Sequence, residues 1–343
     1  MDQNRVKVGV IGAGWVAQSW HLPVLAAMPQ VDVKWICDVD RSRAEKVARA
    51  FGVGETRQNA ADCPDVDVAL VAIPLGFREP VLETVFSRKW HAFLEKPFAA
   101  TSAEHDRILQ TAASAGVEVG VAFLRRFYAG TVLARQIIAR SMLGTIEQIW
   151  ATEGQQMRST TLAGDWSWRA DRRVAGGGIL IESGCHIVDQ VLNLSGATNF
   201  ELEHCDLTYF DDVEYEFKTA GTLELDGGRR CGFGMAASWL SEMYNAIVIE
   251  FAAARLRVSI NAEDAGAWLE DRDGHPICHL DQMPGCEGVN RGGFQAVHAE
   301  WGAFIEQCRS RVPSRASAAS GRLTTQFIEG CYRRQPPPGT SCA

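Results

Sequence analysis

The chain has 343 residues, 46% of them hydrophobic and 22% charged, a globular composition long enough for two cores that excludes disorder, collagen-like repeats and coiled coil. A net charge of -8 gives no electrostatic reason to approach nucleic acid or an anionic membrane. The ten cysteines include no C-x-x-C pair and no Cys/His cluster at zinc-finger spacing, so neither a disulfide scaffold nor a metal is expected; with no signal-like start and no apolar run of about 20 residues, the expected setting is reducing cytoplasm.

The first third alternates short apolar runs with helical spacing. Val6–Ile11, Val33–Cys37, Val68–Ile73, His91–Glu95 and Val117–Ala122 read as strands, and Trp15–Met28, Ser42–Phe51, Arg78–Ser87 and Ala103–Ala115 as the helices between them. This is the pattern of an α/β doubly wound parallel sheet, assigned to residues 1–123. One more helix, Gly130–Arg140, leads into β-type runs at Thr145–Gln155, Leu202–Phe210, Tyr215–Leu225, Arg230–Ser238, Tyr244–Ala252, Arg255–Ile260 and Ala267–Arg272. Turn signals such as Asp226-Gly227-Gly228 and Asp273-Gly274 join them and favour antiparallel pairing. Late helices at Ala296–Ser310 and Ser320–Arg333 close this α+β domain, assigned to residues 124–334, and the proline run at 336–338 opens a tail, 335–343, expected to be disordered.

Two segments carry chemistry. Strand Val6–Ile11 runs into Gly12-Ala13-Gly14-Trp15-Val16-Ala17, a G-x-G-x-x-A turn opening a helix. The glycines allow a tight turn and close approach of backbone to a pyrophosphate, which the free N–H groups of the helix start would meet. Asp38 ends the second strand about 20 residues further on and is placed to accept from the adenosine ribose, favouring NAD over NADP, although Arg41 and Arg43 stand close enough to receive a phosphate. Gly12, Gly14, Trp15, Val16 and Asp38 are therefore candidate cofactor residues. In Glu95-Lys96-Pro97 a lysine follows a strand at the sheet's carboxyl edge, where such sheets bind ligands; its ammonium could donate to a substrate oxygen, and Pro97 restricts its backbone.

The second segment, Gly176-Gly177-Gly178 through Asp189, reads as a glycine-rich entry into a helix. On a helix Glu182, His186 and Asp189, at i, i+4 and i+7, share one face. Such a face is either a polar site or a core histidine satisfied by Asp189; a single histidine without cysteine gives little basis for zinc.

Together with Pro74, Arg125-Arg126-Phe127 and Trp168-Arg169, these residues resemble the Gfo/Idh/MocA oxidoreductases over nearly the whole chain. The resemblance implies a Rossmann domain followed by a large open, mostly antiparallel sheet used for substrate binding and assembly, hence a homodimer or homotetramer. It implies that Pro74, Glu95 and Lys96 also border the cofactor and that Lys96, His186 and Glu182 are catalytic, Glu182 standing where the family usually has aspartate. It further implies that Arg126, Trp168 and Arg169, with Glu182 and His186, border the substrate; Arg78 departs from the histidine of many members. The expected activity is NAD(P)-dependent oxidation or reduction at a secondary alcohol carbon of a sugar, aminosugar or cyclitol. The alternatives are a nucleotide-linked or unsaturated substrate, or a non-catalytic dinucleotide-binding regulator.

Overall fold

The computed structural model describes residues 5–156, 164–210, 213–238, 245–261, 266–280 and 292–336. Six strands, β1 (Val6–Ile11), β2 (Val31–Cys37), β3 (Thr56–Arg57), β4 (Val68–Val71), β5 (His91–Leu94) and β6 (Val119–Val121), form a parallel sheet in the order β3-β2-β1-β4-β5-β6. The order reverses between β1 and β4, so the chain leaving β1 emerges at the switch point of a doubly wound fold. Val8, Val10, Ala69, Leu70, Ala92 and Phe93 are almost fully buried, as expected of strands covered on both faces.

The crossover helices start where local chemistry allows. Asp40 accepts the Arg43 N–H and begins the helix Arg41–Phe51, which stops at Gly52 in the left-handed region. Thr101 does the same for Ser102–Ala115, accepting the Glu104 N–H. The stretch expected as one helix, Trp15–Met28, is helical from Trp15 to Ala27, but it contains a π turn, Ala17–His21, ahead of the α-helix Leu22–Ala27. Pro23 in the first turn of that second piece has no N–H to donate back, so regular α winding cannot run through it.

Strands β7 (Ile146–Gln156), β8 (Phe200–Phe210), β9 (Val213–Leu225), β10 (Arg229–Ser238), β11 (Ala246–Phe251), β12 (Arg255–Ser259), β13 (Ala267–Glu270) and β14 (Pro276–His279) form the second sheet, in the order β14-β13-β12-β11-β7-β10-β9-β8. Only the β7–β10 pair is parallel among the described residues. The turns read from Asp226-Gly227-Gly228 and Asp273-Gly274 join β9 to β10 and β13 to β14, with their glycines at positive φ. β3, two residues long, is too short to stand out in sequence, and β14, Pro276–His279, is not among the expected strands either.

The chain forms two compact units, residues 1–122 with 297–322, and residues 123–296 with 323–343. The return at 297–322 has no counterpart in a 124–334 domain, and aromatic packing accounts for it: Trp301 and Phe304, on the helix Gly293–Ser310, lie 4.5 Å and 5.0 Å from the Phe93 ring of β5. Tyr244 and residues 337–343 of the expected tail lie outside the described residues. Gln335, at the start of that tail, accepts the Leu207 N–H of β8 at 2.6 Å. No helix among the described residues is long and apolar enough to cross a membrane.

Candidate active site

In the first unit, the loop leaving β1 is shaped by main-chain demands. Gly12 has φ +93°, and a Cβ there would lie 2.4 Å from the Ala72 carbonyl oxygen, so only glycine fits between the β1 and β4 ends. Gly14 differs, because a Cβ there would meet nothing within 4 Å. The protein leaves that side of the turn open, and a bare backbone facing open space suits the close approach of a diphosphate. Ala17, third of the motif, is fully buried, Val16 is half-buried and Trp15 is 57% exposed beside the turn.

Asp38 holds this loop. Its Oδ2 accepts the Ala13 N–H at 2.8 Å, and its Oδ1 accepts the Asp40 N–H at 2.9 Å and an Arg43 N–H at 3.2 Å. The carboxylate expected at the ribose is thus turned largely to its own chain, and Arg43 shares its charge. The turn, Asp38 and Arg43 together fit a nicotinamide dinucleotide, with or without a 2′-phosphate on the adenosine.

Lys96 follows β5, at the carboxyl edge of the same sheet, and its bond to Pro97 is cis. Two buried charged residues brace it. Glu95 accepts the Lys96 backbone N–H at 3.0 Å through one oxygen and faces His21 Nε2 at 2.7 Å through the other. Burial would push the Glu95 carboxyl up; the His21 hydrogen bond and the positive charges of Lys96 and Arg78 outweigh it and hold the group below its ordinary range. Arg78, 3% exposed, donates to the Ile73 carbonyl at 2.9 Å and the Pro97 carbonyl at 2.5 Å, clamping the loop that contains Pro74 to the one that contains Lys96. A histidine cannot fork to two carbonyls in this way, which gives the departure at Arg78 a physical purpose.

In the second unit, the segment carrying Glu182 and His186 is held from below by β9. Glu216 is fully buried and accepts the N–H groups of Gly178 at 2.8 Å and Leu180 at 3.0 Å, and the Tyr332 hydroxyl at 2.6 Å. A Cβ on Gly178 would sit 2.5 Å from the Glu216 backbone, so the glycine-rich entry exists to let this strand pass. Burial pushes the Glu216 carboxyl up, against the pull of its three donors.

Residues Leu180–Gly184 wind as a π turn before the helix Cys185–Ser195. The π turn interrupts the regular 3.6-residue winding assumed for Glu182, His186 and Asp189, and each takes different partners. Glu182 turns to Arg169, whose guanidinium lies 2.6 Å away, and to the Tyr215 hydroxyl at 3.1 Å. Arg169 also lies 5.6 Å over the Trp168 ring, so those two and Glu182 form one partly open cluster. His186 is nearly buried, edge-on to Phe123 at 6.1 Å. Asp189 is not its partner: it takes Arg126 in a two-pronged pair at 2.7 Å and 2.5 Å, and the Thr324 hydroxyl at 3.2 Å.

Arg126, expected at the substrate, is 1% exposed and its guanidinium pairs with Asp189. Arg125 pairs with Glu153 at 2.9 Å and 2.7 Å, and Ser183 donates to the same carboxylate. The sequence reading missed Tyr215, Glu216 and His21. None of the three belongs to a local motif.

Residues 6–123 match the family described as oxidoreductase family, NAD-binding Rossmann fold, and residues 131–263 match the GFO/IDH/MocA C-terminal domain. Among curated proteins, D-glucoside 3-dehydrogenase of Escherichia coli (strain K12) is 26% identical over 199 residues, 57% of this chain and 56% of that protein. The chain spans about half the length of the curated relatives it matches. Levoglucosan dehydrogenase, solved with NADH and levoglucosan, superposes with TM-score 0.82 at 19% identity, covering 96% of both chains. A 3-ketoreductase from Actinomadura kijaniata, solved with NADP and TDP-benzene, does so with TM-score 0.82 at 17% identity, covering 96% of this chain and 98% of that one.

Proposed function

Because the chain belongs to the oxidoreductase family with an NAD-binding Rossmann fold and a GFO/IDH/MocA C-terminal domain, we propose that it is a nicotinamide-dependent dehydrogenase or reductase working at a secondary alcohol carbon of a sugar, aminosugar or cyclitol. The observation that carries this reading is the loop after β1, where Gly14 faces open space while Asp38 locks the Ala13 N–H. A bound dinucleotide supplies the hydride acceptor or donor. Gly12, Gly14, Trp15, Val16 and Asp38 hold its phosphates and adenosine end, and the Pro74 and Glu95-Lys96 loops border the remainder.

In this reading Lys96 donates a hydrogen bond to the carbinol oxygen, polarising it, and His186 takes up or returns the hydroxyl proton. Glu182 is no base, since Arg169 and Tyr215 already occupy its oxygens. It orients Arg169, which with Trp168 lines the sugar. An indole face and a guanidinium fork suit a polyhydroxylated ring, whose C–H face stacks while its hydroxyls accept.

The partner in assembly is a second copy of the chain, seated on the open face of the eight-stranded sheet. Trp150, 46% exposed, lies there between buried Ile149 and Ala151, in one row across the strands with Val248, Arg257 and Trp268. Trp150→Glu is expected to lower the mass measured by light scattering.

The test is a panel of levoglucosan, glucosides, scyllo-inositol and nucleotide-linked sugars with NAD and NADP, followed through absorbance of the reduced nicotinamide. Turnover of a free sugar or cyclitol is expected. Turnover of nucleotide-linked sugars alone would shift the substrate class, and cofactor binding without turnover of any of them would make the chain a regulator.

A further inference from the structure

A buried chain of three polar side chains in the first unit, Trp301, His21 and Glu95, ends at the backbone of Lys96. The π turn Ala17–His21, directly after the glycine loop, rotates His21 inward until it is 1% exposed. The Trp301 indole N–H donates to His21 Nδ1 at 2.9 Å. An indole nitrogen can only donate, so Nδ1 must offer a lone pair and the imidazole proton sits on Nε2. That nitrogen faces Glu95 Oε1 at 2.7 Å, and the other Glu95 oxygen accepts the Lys96 backbone N–H at 3.0 Å.

The ring has little freedom to do anything else. It stands edge-on to Phe93 at 6.1 Å and 82°, and to Trp301 at 5.9 Å and 86°, so its plane is set by the same aromatic cluster that recruits residues 297–322. Trp301 and Phe93 are themselves fully buried. A neutral, tautomer-locked imidazole aimed at one carboxylate oxygen is a rigid donor, and the carboxylate's second oxygen is directed at the amide that carries the side chain of interest.

We propose that His21, fixed by Trp301, is a positioning residue that acts through Glu95 to set the backbone, and so the ammonium, of Lys96. This rests on the reading of Lys96 as the group that meets the substrate oxygen. It ties the segment that follows the dinucleotide loop to Lys96, beyond the end of β5, through Glu95.

The experiment compares His21→Leu, which removes the donor, with His21→Gln, which keeps an N–H near the position of Nε2, and carries Lys96→Ala as control. Two readouts are taken on the full chain: kcat and KM for the best substrate of the panel, and the acetylation of Lys96 by acetic anhydride relative to exposed Lys34, read by mass spectrometry without any substrate. For His21→Leu a kcat loss of about tenfold or more with KM within about threefold is expected, together with a change of at least about threefold in the Lys96/Lys34 labelling ratio. His21→Gln should bring both back to within about threefold of the parent protein. Unchanged values in His21→Leu, or a Gln variant as impaired as the Leu variant, would overturn the proposal. If His21→Leu does not fold, Trp301→Phe replaces it, because freeing the tautomer must still move the labelling ratio, and an unmoved ratio counts against the proposal. Turnover that survives in Lys96→Ala removes the functional reading, while the labelling ratio still reports on His21.

Discussion

The two units hold their glycine-rich segments still by different means. The first builds its ligand loop from main chain: a glycine that only the β1–β4 gap explains, a second glycine facing open space, and one carboxylate pinning an amide. The second builds from buried charged side chains brought from far apart in sequence: Arg126 with Asp189, Arg125 with Glu153, and Glu216 under Gly178 and Leu180. A main-chain device tolerates change in distant residues. A side-chain device fails when either partner is removed, because the survivor stays buried and uncompensated.

The largest effect is expected in the second unit. Asp189→Ala leaves the Arg126 guanidinium buried without its partner and should cost about 3–5 kcal/mol in urea unfolding; a loss under about 1 kcal/mol would mean that water or relaxation replaces the pair and would erase the contrast. Next comes a pH effect in the first unit. His105 is fully buried, with Nε2 on the Ala318 carbonyl, and burial, opposed by that hydrogen bond, lowers its pKa to about 4. The folded value is below the ordinary 6.5, so the unfolded chain binds the proton first. The associated stability, about 3 kcal/mol, is present above pH 6.5 and drains away as pH falls towards about 4. Replacing His105 by Phe should flatten that part of the stability profile; an unchanged profile would assign the acid loss to carboxylates.

A smaller effect is expected at Glu216. Glu216→Gln keeps one acceptor oxygen but offers an NH2 group to a donor, and should cost about 1–2 kcal/mol, visible as a lower denaturant midpoint with weakened turnover. The smallest change in stability, under about 0.5 kcal/mol, belongs to Gly14→Ala, where the added methyl meets nothing in the protein. NADH affinity should nevertheless fall about tenfold or more in a fluorescence titration, since the methyl occupies the space kept for the diphosphate. Gly14→Ala that binds NADH normally would show that the open side of the turn is not the ligand's side.

The same contrast explains what could be read from the residues alone. The glycine loop, Asp38 and Glu95-Lys96-Pro97 were legible because each is a short run whose meaning comes from the strand beside it, and β1 and the helix Arg78–Ser87 fall where periodicity puts them. The helix around Glu182 and His186 was legible in place, but its π turn was not, because such a turn leaves no mark in a 3.6-residue pattern. Partner choice was the least accessible. Asp189 as a partner for His186 and as a partner for Arg126 look alike in sequence, and only tertiary packing 63 residues away decides between them. His21 was hidden for both reasons, lying in a π turn and held by Trp301, 280 residues on.

The central claim is that Lys96 and His186 do chemistry while the Gly12–Ala17 loop does binding. Single-turnover reduction of NAD by the best polyol, with NADH affinity measured on the same preparations, tests it for Lys96→Ala and His186→Ala. Hydride transfer slowed by about a hundredfold or more in each, with affinity within about threefold of the parent, is the expected result. Transfer at the parent rate in either variant, or loss of NADH binding in step with loss of rate, would contradict it.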